Sequence, residues 1–436
     1  MAAAALPGPG GDGLATLELA IRTAMQSLGG SLLEELLALD GGHRGPRVKD
    51  EAGHEASFVG YRDKHLDTVL GPVSLRRAYY HCSKCGSGVV PKDAELGVVR
   101  SSMSPGLRAM VAKVAAAGPF ARAKELLSTL AGVELTTKAV ERRSEADGKA
   151  LQESISAEAK SMAAGAVVPI GPSVRVGRLY VEMDGTGVPT VAADTTGRTG
   201  KGPEGKAHTR EVKIGVVFTQ TKSDKKGHPV RDPGSSTWVA TLDPVASFGS
   251  LIKAEAGRRG SARARQVIVL GDGAPWIWNL AGEQFPSGIQ IVDLYHAREH
   301  LHDLGALVAG HLGEDAEAWL ADRLDELDRG DVGSLAGAAR NLELPETKAA
   351  EVERALAYFE TNAHRMRYSH FRALGFFVGS GVVEAGCRAV VGQRLKLSGM
   401  RWSARGASAI VGLRCEEASG RWEEIWLRVN NQTGAA

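Results

Sequence analysis

From residue 178 to residue 292 the chain alternates short, continuously apolar runs with helix-like segments. Continuously apolar strands must be covered on both faces, so this stretch can fold only as a sheet sandwiched by helices, and the class is α/β. Arg178–Met183, Glu211–Thr219, Ser236–Leu242, Gln266–Leu270 and Ile289–Val292 are predicted strands. Phe248–Arg258, the stretch from Leu294 to about Ala373 and Ser380–Leu395 are predicted helical. Two apolar runs end in a lone Asp followed by Gly, at Asp184-Gly185 and Asp272-Gly273. A Gly379-Ser380-Gly381 entry puts a lone Glu384 early in a later helix.

The order is three strands, helix, strand, helix, strand, then helices. It matches a ribonuclease-H-like fold, a mixed sheet with an antiparallel three-strand edge in which the first and fourth strands are neighbours. Asp184 and Asp272 would then meet, and the last helix would bring in Glu384. These residues lie 88 and 112 positions apart (184 to 272 to 384). The second gap exceeds the bare fold and predicts a helical insertion over roughly residues 303–370. Asp, Asp and Glu in this arrangement suit two Mg²⁺ (or Mn²⁺) ions, which prefer carboxylate oxygens and need few protein ligands. Asp184 would bridge both ions, and Asp272 and Glu384 would each hold one. Any one of them alone reads as a turn or cap carboxylate. The three together point to phosphodiester chemistry.

At 436 residues two or three domains are expected. A net charge of +2 neither demands nor excludes nucleic acid, so a basic surface must be local. Aromatic residues, at 5%, are too few for the sugar platforms of a glycosidase. No apolar run spans a bilayer, and the start of the chain lacks a basic, apolar leader. The expectation is a cytoplasmic, nucleoid-associated protein with no membrane partner. Four cysteines, Cys82, Cys85, Cys387 and Cys415, fit a reducing compartment. Cys82 and Cys85 form a Cys-x-x-Cys pair, a candidate half of a Zn²⁺ site. His54, His65 and His81 are near in sequence, but no second Cys-x-x-Cys exists to complete four ligands. A knuckle with a distant His, a site shared across a dimer and a reduced pair in a turn all remain open. Cys387 reads as packing.

Residues 1–14 read as a disordered tail, and 15–100 as a helix (15–42) plus a β-hairpin over 66–81 with the candidate zinc knuckle. Residues 101–150 hold three helical segments, 105–117, 120–130 and 136–146, with Thr136 or Thr137 as an N-cap. They outline a helix-turn-helix whose last helix offers Lys138, Arg142 and Arg143 to DNA. The competing reading is a helical spacer. Residues 151–177 read as a linker punctuated by Pro169-Ile-Gly-Pro-Ser. The catalytic domain then covers 178–302, the insertion 303–370, and the Glu helix with a helical tail 371–436. A loop over 185–210 carries Arg198, Lys201 and Lys206, as a phosphate-tracking arm or a solvated connection. The tail interleaves Arg394, Lys396, Arg401 and Arg405 with Trp402, as a DNA-backbone contact or a solvated face. Asp293-Leu-Tyr-His296, taken alone, is a helix N-cap with a His in the first turn.

Several stretches resemble bacterial insertion-sequence transposases of the ISKra type, relatives of the Mutator-like transposases. They include Met183-Asp-Gly-Thr-Gly-Val-Pro, Gly271-Asp-Gly-Ala-Pro-Trp-Ile-Trp-Asn-Leu and Asp293-Leu-Tyr-His-Ala-Arg-Glu-His-Leu. Others are Gly379-Ser-Gly-Val-Val-Glu-Ala-Gly-Cys and Gln393-Arg-Leu-Lys-Leu-Ser-Gly-Met-Arg-Trp-Ser. The resemblance covers most of residues 60–426. It implies a DDE-type DNA transposase with Asp184, Asp272 and Glu384 as its triad. It also implies accessory roles for Asp293 and His296, since an acidic residue or Cys, two residues and then His mark the Mutator type. The expected partners are the inverted-repeat ends of its own element and target DNA. A homo-oligomer is expected because two ends must be handled together. The alternatives are a DNA-holding descendant that no longer cuts and a structure-selective nuclease on the same fold.

Overall fold

The computed structural model describes residues 13–167, 175–200 and 205–426, and the chain divides into two compact units. Unit 1 comprises residues 1–154 with 421–436, and unit 2 residues 155–420.

Unit 1 begins with α1 (Gly13–Ala38). A four-stranded sheet follows, ordered β1 (Arg47–Lys49), β2 (Glu55–Thr68), β3 (Gly71–His81) and β4 (Gly88–Val89), with every pairing antiparallel. β2 begins well before the expected Leu66. Its register shifts between Phe58 and Gly60, and that bulge interrupts the period-two pattern by which a strand is read. α2 (Pro91–Glu95), α3 (Pro105–Ala117), α4 (Phe120–Leu126) and α5 (Thr137–Ala163), the last as far as Ser154, complete the unit. α3 starts at Pro105 behind Ser104, whose side chain accepts the Leu107 N–H. Thr136 caps α5 by accepting the Ala139 N–H at 3.1 Å. Met103, Leu107, Val111, Leu127, Val133 and Val140 share one core, so the three helices pack as a unit.

Two expectations for this region change. α5 does not stop near residue 146 but continues to Ala163, because Asp147 and Leu151 are buried along it and tertiary packing outweighs the weak helix preference of Gly148. The Pro169–Ser173 punctuation lies outside the described residues. Arg143 is also not free for DNA. It reaches Asp147 at 2.8 Å, joining the buried Arg108–Asp147 pair at 2.6 Å.

Unit 2 is built on a five-stranded sheet ordered β11-β10-β5-β6-β9. Its strands are β5 (Arg178–Pro189), β6 (Thr209–Gln220), β9 (Thr237–Thr241), β10 (Gln266–Gly271) and β11 (Ile289–Val292). β7 (Lys222–Ser223) and β8 (Pro229–Val230) form a small separate hairpin. β5 is antiparallel to β6 and β6 to β9, whereas β10 is parallel to both β5 and β11. α6 (Val245–Arg258) and α7 (Pro275–Gln284) fill the crossovers. α8 (Leu294–Leu312), α9 (Ala316–Arg329), α10 (Val332–Arg340), α11 (Glu346–Asn362) and α12 (Tyr368–Ala373) follow β11, where the insertion is expected. The chain returns through α13 (Gly381–Gly386), a wider π turn over 387–392, α14 (Gln393–Leu395) and α15 (Ala404–Ala418).

Helices cover both faces of this sheet. Gly215 of β6 lies under Phe248 and Ile252 of α6. α13 packs on β5 and β6, and α15 on β9. β5 does not end at Met183. It runs to Pro189 and pairs with β6 from Thr209, so the two ends of the expected 185–210 loop are strand and residues 190–208 form the connection. Among the described residues no helix is long and apolar enough to cross a membrane.

The tightest helix–sheet contact is at Gly386, where a Cβ would lie 2.0 Å from Trp238 Cζ3. Gly386→Ala should therefore overpack this contact and lower stability by about 1–3 kcal/mol. Urea unfolding checks it; an unchanged midpoint would mean that α13 is not held this closely.

Candidate functional site

The parallel register of β5 and β10 places two carboxylates side by side. Leu270 pairs with Glu182, so Asp272, two residues on and just past the end of β10, falls level with Asp184. Asp184 is therefore mid-strand in the β5–β6 hairpin but at the carboxyl edge of the parallel half. Its Oδ1 accepts the Gly185 N–H at 2.6 Å, and its Oδ2 accepts the Cys387 thiol at 3.1 Å. Burial, with the charge of Asp272 added, raises this carboxyl above its usual range. Asp272 Oδ1 accepts the Ala274 N–H at 2.9 Å, which shapes the turn into α7. The turn is supported from the inserted helices, since Tyr358 of α11 donates to the Asp272 carbonyl at 3.0 Å. Gly273 has φ +100°, and a Cβ there would lie 2.6 Å from the Tyr358 ring. His300 of α8 packs on that ring, centroid to centroid at 3.9 Å.

Asp293 joins the last helix to this edge. Its buried carboxylate caps α8, with Oδ1 accepting the N–H groups of Tyr295 (2.6 Å) and His296 (3.0 Å). Its Oδ2 accepts the Ser380 N–H, and Leu294 N–H donates to the Val378 carbonyl at 2.9 Å. The 378–380 segment is thus bound to the end of β11, and α13 leaves from it carrying Glu384 in its first turn. The ligand atoms of Asp293, His296 and Glu384 all lie within 4.8 Å of one another. Asp184 and Asp272 stand outside that cluster, so the three triad carboxylates are not gathered at that distance. His296 Nδ1 is 3.8 Å from Asp293 Oδ1, an ion-pair distance rather than a hydrogen bond. The Asp293 carboxylate pushes the imidazole up to about 9, against the effect of burial.

Sequence reasoning missed two groups. Glu182 precedes Asp184 by two residues on the same face of β5 and is fully buried. Its Oε2 accepts the Val383 N–H at 2.8 Å, and its Oε1 has no partner. Burial, with Asp293 and Glu384 adding to it, pushes this carboxyl up to about 8. A Glu inside an otherwise apolar strand was the available signal. Cys387, read as packing, touches Asp184, and burial and that carboxylate raise its thiol.

The basic candidates separate. Arg394 is buried, its guanidinium 4.7 Å over the Trp402 ring, so it is a core residue and not a DNA contact. Lys396 is exposed and donates to Thr186 Oγ1 on β5. Arg401 and Arg405 are exposed on a segment tied to β5, because Trp402 N–H donates to the Pro189 carbonyl at 3.1 Å. Arg198 and Lys206 are exposed on the β5–β6 connection, and Lys201 lies outside the described residues. In unit 1, Arg142 is exposed and Lys138 pairs with Glu141 at 2.7 Å. Cys82 and Cys85 are also in unit 1, together with Asp50 and His54. No protein-family model matches the chain, and no curated protein matches it.

The Glu182 carboxyl gives a pH prediction for metal-free protein. Its folded value, about 8, lies above its ordinary 4.5, so the native state holds a proton that the unfolded chain releases. Wild-type stability should decline between these limits relative to Glu182→Gln, by on the order of a few kcal/mol. Melting both proteins in EDTA from pH 5 to pH 8 checks this, and parallel curves would show that Glu182 is ionised when folded.

Proposed function

We propose that the chain is a DDE-type DNA transposase that cuts and joins phosphodiester bonds at the ends of a mobile element. The observation that carries the reading is the placement of Asp184 and Asp272 level on adjacent parallel strands, with Glu384 docked to the same edge through Asp293. The strand order β11-β10-β5-β6-β9 is the one a ribonuclease-H-like fold requires, with the first and fourth strands of unit 2 adjacent. The helices between β11 and α13 then correspond to the family's insertion.

The donor set fits Mg²⁺ or Mn²⁺. All three triad residues are half-buried, open enough for a hydrated ion and enclosed enough to hold it. Two bound ions would activate the attacking water or 3′-hydroxyl and stabilise the leaving oxygen. The chain's own residues do the rest. Asp293 orients Glu384, the His296 imidazolium faces a phosphate oxygen, and Lys396, Arg401 and Arg405 neutralise backbone beside β5.

The test is a plasmid carrying the flanking genomic DNA, incubated with protein in Mg²⁺ and in Ca²⁺. Breaks should map to the element ends in Mg²⁺, and Asp184→Ala, Asp272→Asn and Glu384→Ala should reduce them to background while end binding persists. Cleavage that survives these changes would refute the triad. Cleavage without preference for the ends would indicate a nuclease, and binding without cutting a DNA-holding descendant.

Arg142 and Arg143 should part company. Arg142→Ala should weaken end binding and lower its salt slope by about one. Arg143→Ala should instead cost about 1–3 kcal/mol of stability, because it takes a charged donor from the buried Asp147. Salt titrations of binding and denaturant curves for both variants decide it; a lowered slope for Arg143→Ala would place it on the DNA.

A further inference from the structure

Unit 1 gathers four metal-ligating side chains that the catalytic reading does not use. Asp50 and His54 sit on the turn between β1 and β2, and Cys82 and Cys85 on the turn between β3 and β4. Because β2 pairs with β3 through Ser57 and His81, the two turns emerge at the same end of the sheet. One ligand atom from each residue lies within 4.8 Å of the other three. We propose that Asp50, His54, Cys82 and Cys85 form a structural zinc centre, complete within one chain, that joins the two hairpin turns.

Each turn is shaped to present its pair. Asp50 Oδ1 accepts the N–H groups of Ala52 (3.0 Å) and His54 (2.7 Å), which closes the first turn and leaves Oδ2 facing the cluster. Gly53, at φ +78°, takes the left-handed position there. In the second turn Gly86 N–H donates to the Cys82 carbonyl at 2.8 Å and Cys82 N–H to the Ser87 carbonyl at 2.9 Å. Gly86, at φ +70°, allows the reversal. Across the gap, the Cys85 thiol donates to Asp50 Oδ2 at 2.9 Å, and within the first turn His54 Nδ1 lies 3.5 Å from the same oxygen. That nitrogen is buried and has no hydrogen-bond partner.

The donor set selects the metal class. Two thiolates and an imidazole favour zinc over Mg²⁺ or Ca²⁺, and four protein ligands close a tetrahedral shell. Cys82 is buried and Cys85 exposed, so the ion enters from the surface. Both cysteines release their protons to solvent on binding. The benefit falls on short elements. β1 spans three residues and β4 two, so their few ladder bonds hold the ends of the sheet weakly, and one ion links both turns.

The test uses the full chain, purified from zinc-replete medium without chelator and analysed by elemental mass spectrometry. One zinc per chain is expected. Exchange with Co²⁺ should give thiolate charge-transfer absorption and tetrahedral d–d bands. Asp50→Asn keeps an oxygen for the turn and should fold, yet it should weaken retention by at least about 100-fold, more than loss of a supporting partner causes. Cys85→Ser should remove one of the two thiolate contributions to the charge-transfer band, whereas Cys387→Ser should leave it intact. Zinc-free protein with free thiols, a Cys82–Cys85 disulfide in its place, or wild-type retention in either Asp50→Asn or Cys85→Ser overturns the four-ligand centre.

Discussion

The carboxylate of Asp293 holds the candidate site together. It is buried at the end of β11, and both of its oxygens accept backbone N–H groups, those of Tyr295 and His296 at the start of α8 and that of Ser380 ahead of α13. A buried charge persists only where donors satisfy it, so this carboxylate specifies where α8 begins and where the chain must return after the inserted helices. Glu384 inherits its position from that return. His296 and the fully buried Glu182 lie around the same edge of the sheet, and the pKa of each is raised, by the Asp293 carboxylate at His296 and by burial at Glu182.

The inserted helices also serve the site. Tyr358 of α11 reaches the carbonyl of Asp272 and lies against Gly273, so the turn carrying the second aspartate is braced by a segment that enters the chain after it. The β5–β6 hairpin performs the same service for Asp184. By continuing to Pro189 it gives Trp402 an edge to bond to, and this carries Lys396, Arg401 and Arg405 alongside β5.

Much of this was legible in the sequence where a residue's role depends on its immediate neighbours. β11 matches its expected span and β10 differs by one residue, because buried parallel strands are short unbroken apolar runs, each here ending at an Asp. Asp293 as an N-cap was likewise readable, since capping involves only the next few N–H groups. The readings that failed depend on pairing and burial that the residue pattern does not show. Residues 185–189 look like the start of a loop until β6 is seen to pair with them as far as Thr209. Arg394 looks like a surface cation until Trp402 covers it, and Arg143 until Asp147 takes its guanidinium.

The N-terminal turns show the same division. The sequence by itself supplied Cys82 and Cys85 as a half-site, along with the class of the core, the order of its strands and the three carboxylates worth watching. These follow from hydrophobic period, turn chemistry and ligand type, which are local properties. Only the tertiary structure brought Asp50 and His54 to the cysteines, set Asp272 level with Asp184, and showed Glu182 and Cys387 among the acidic residues. Register, burial and convergence arise when segments distant in the chain exclude water from one another, and no local pattern of residues encodes them.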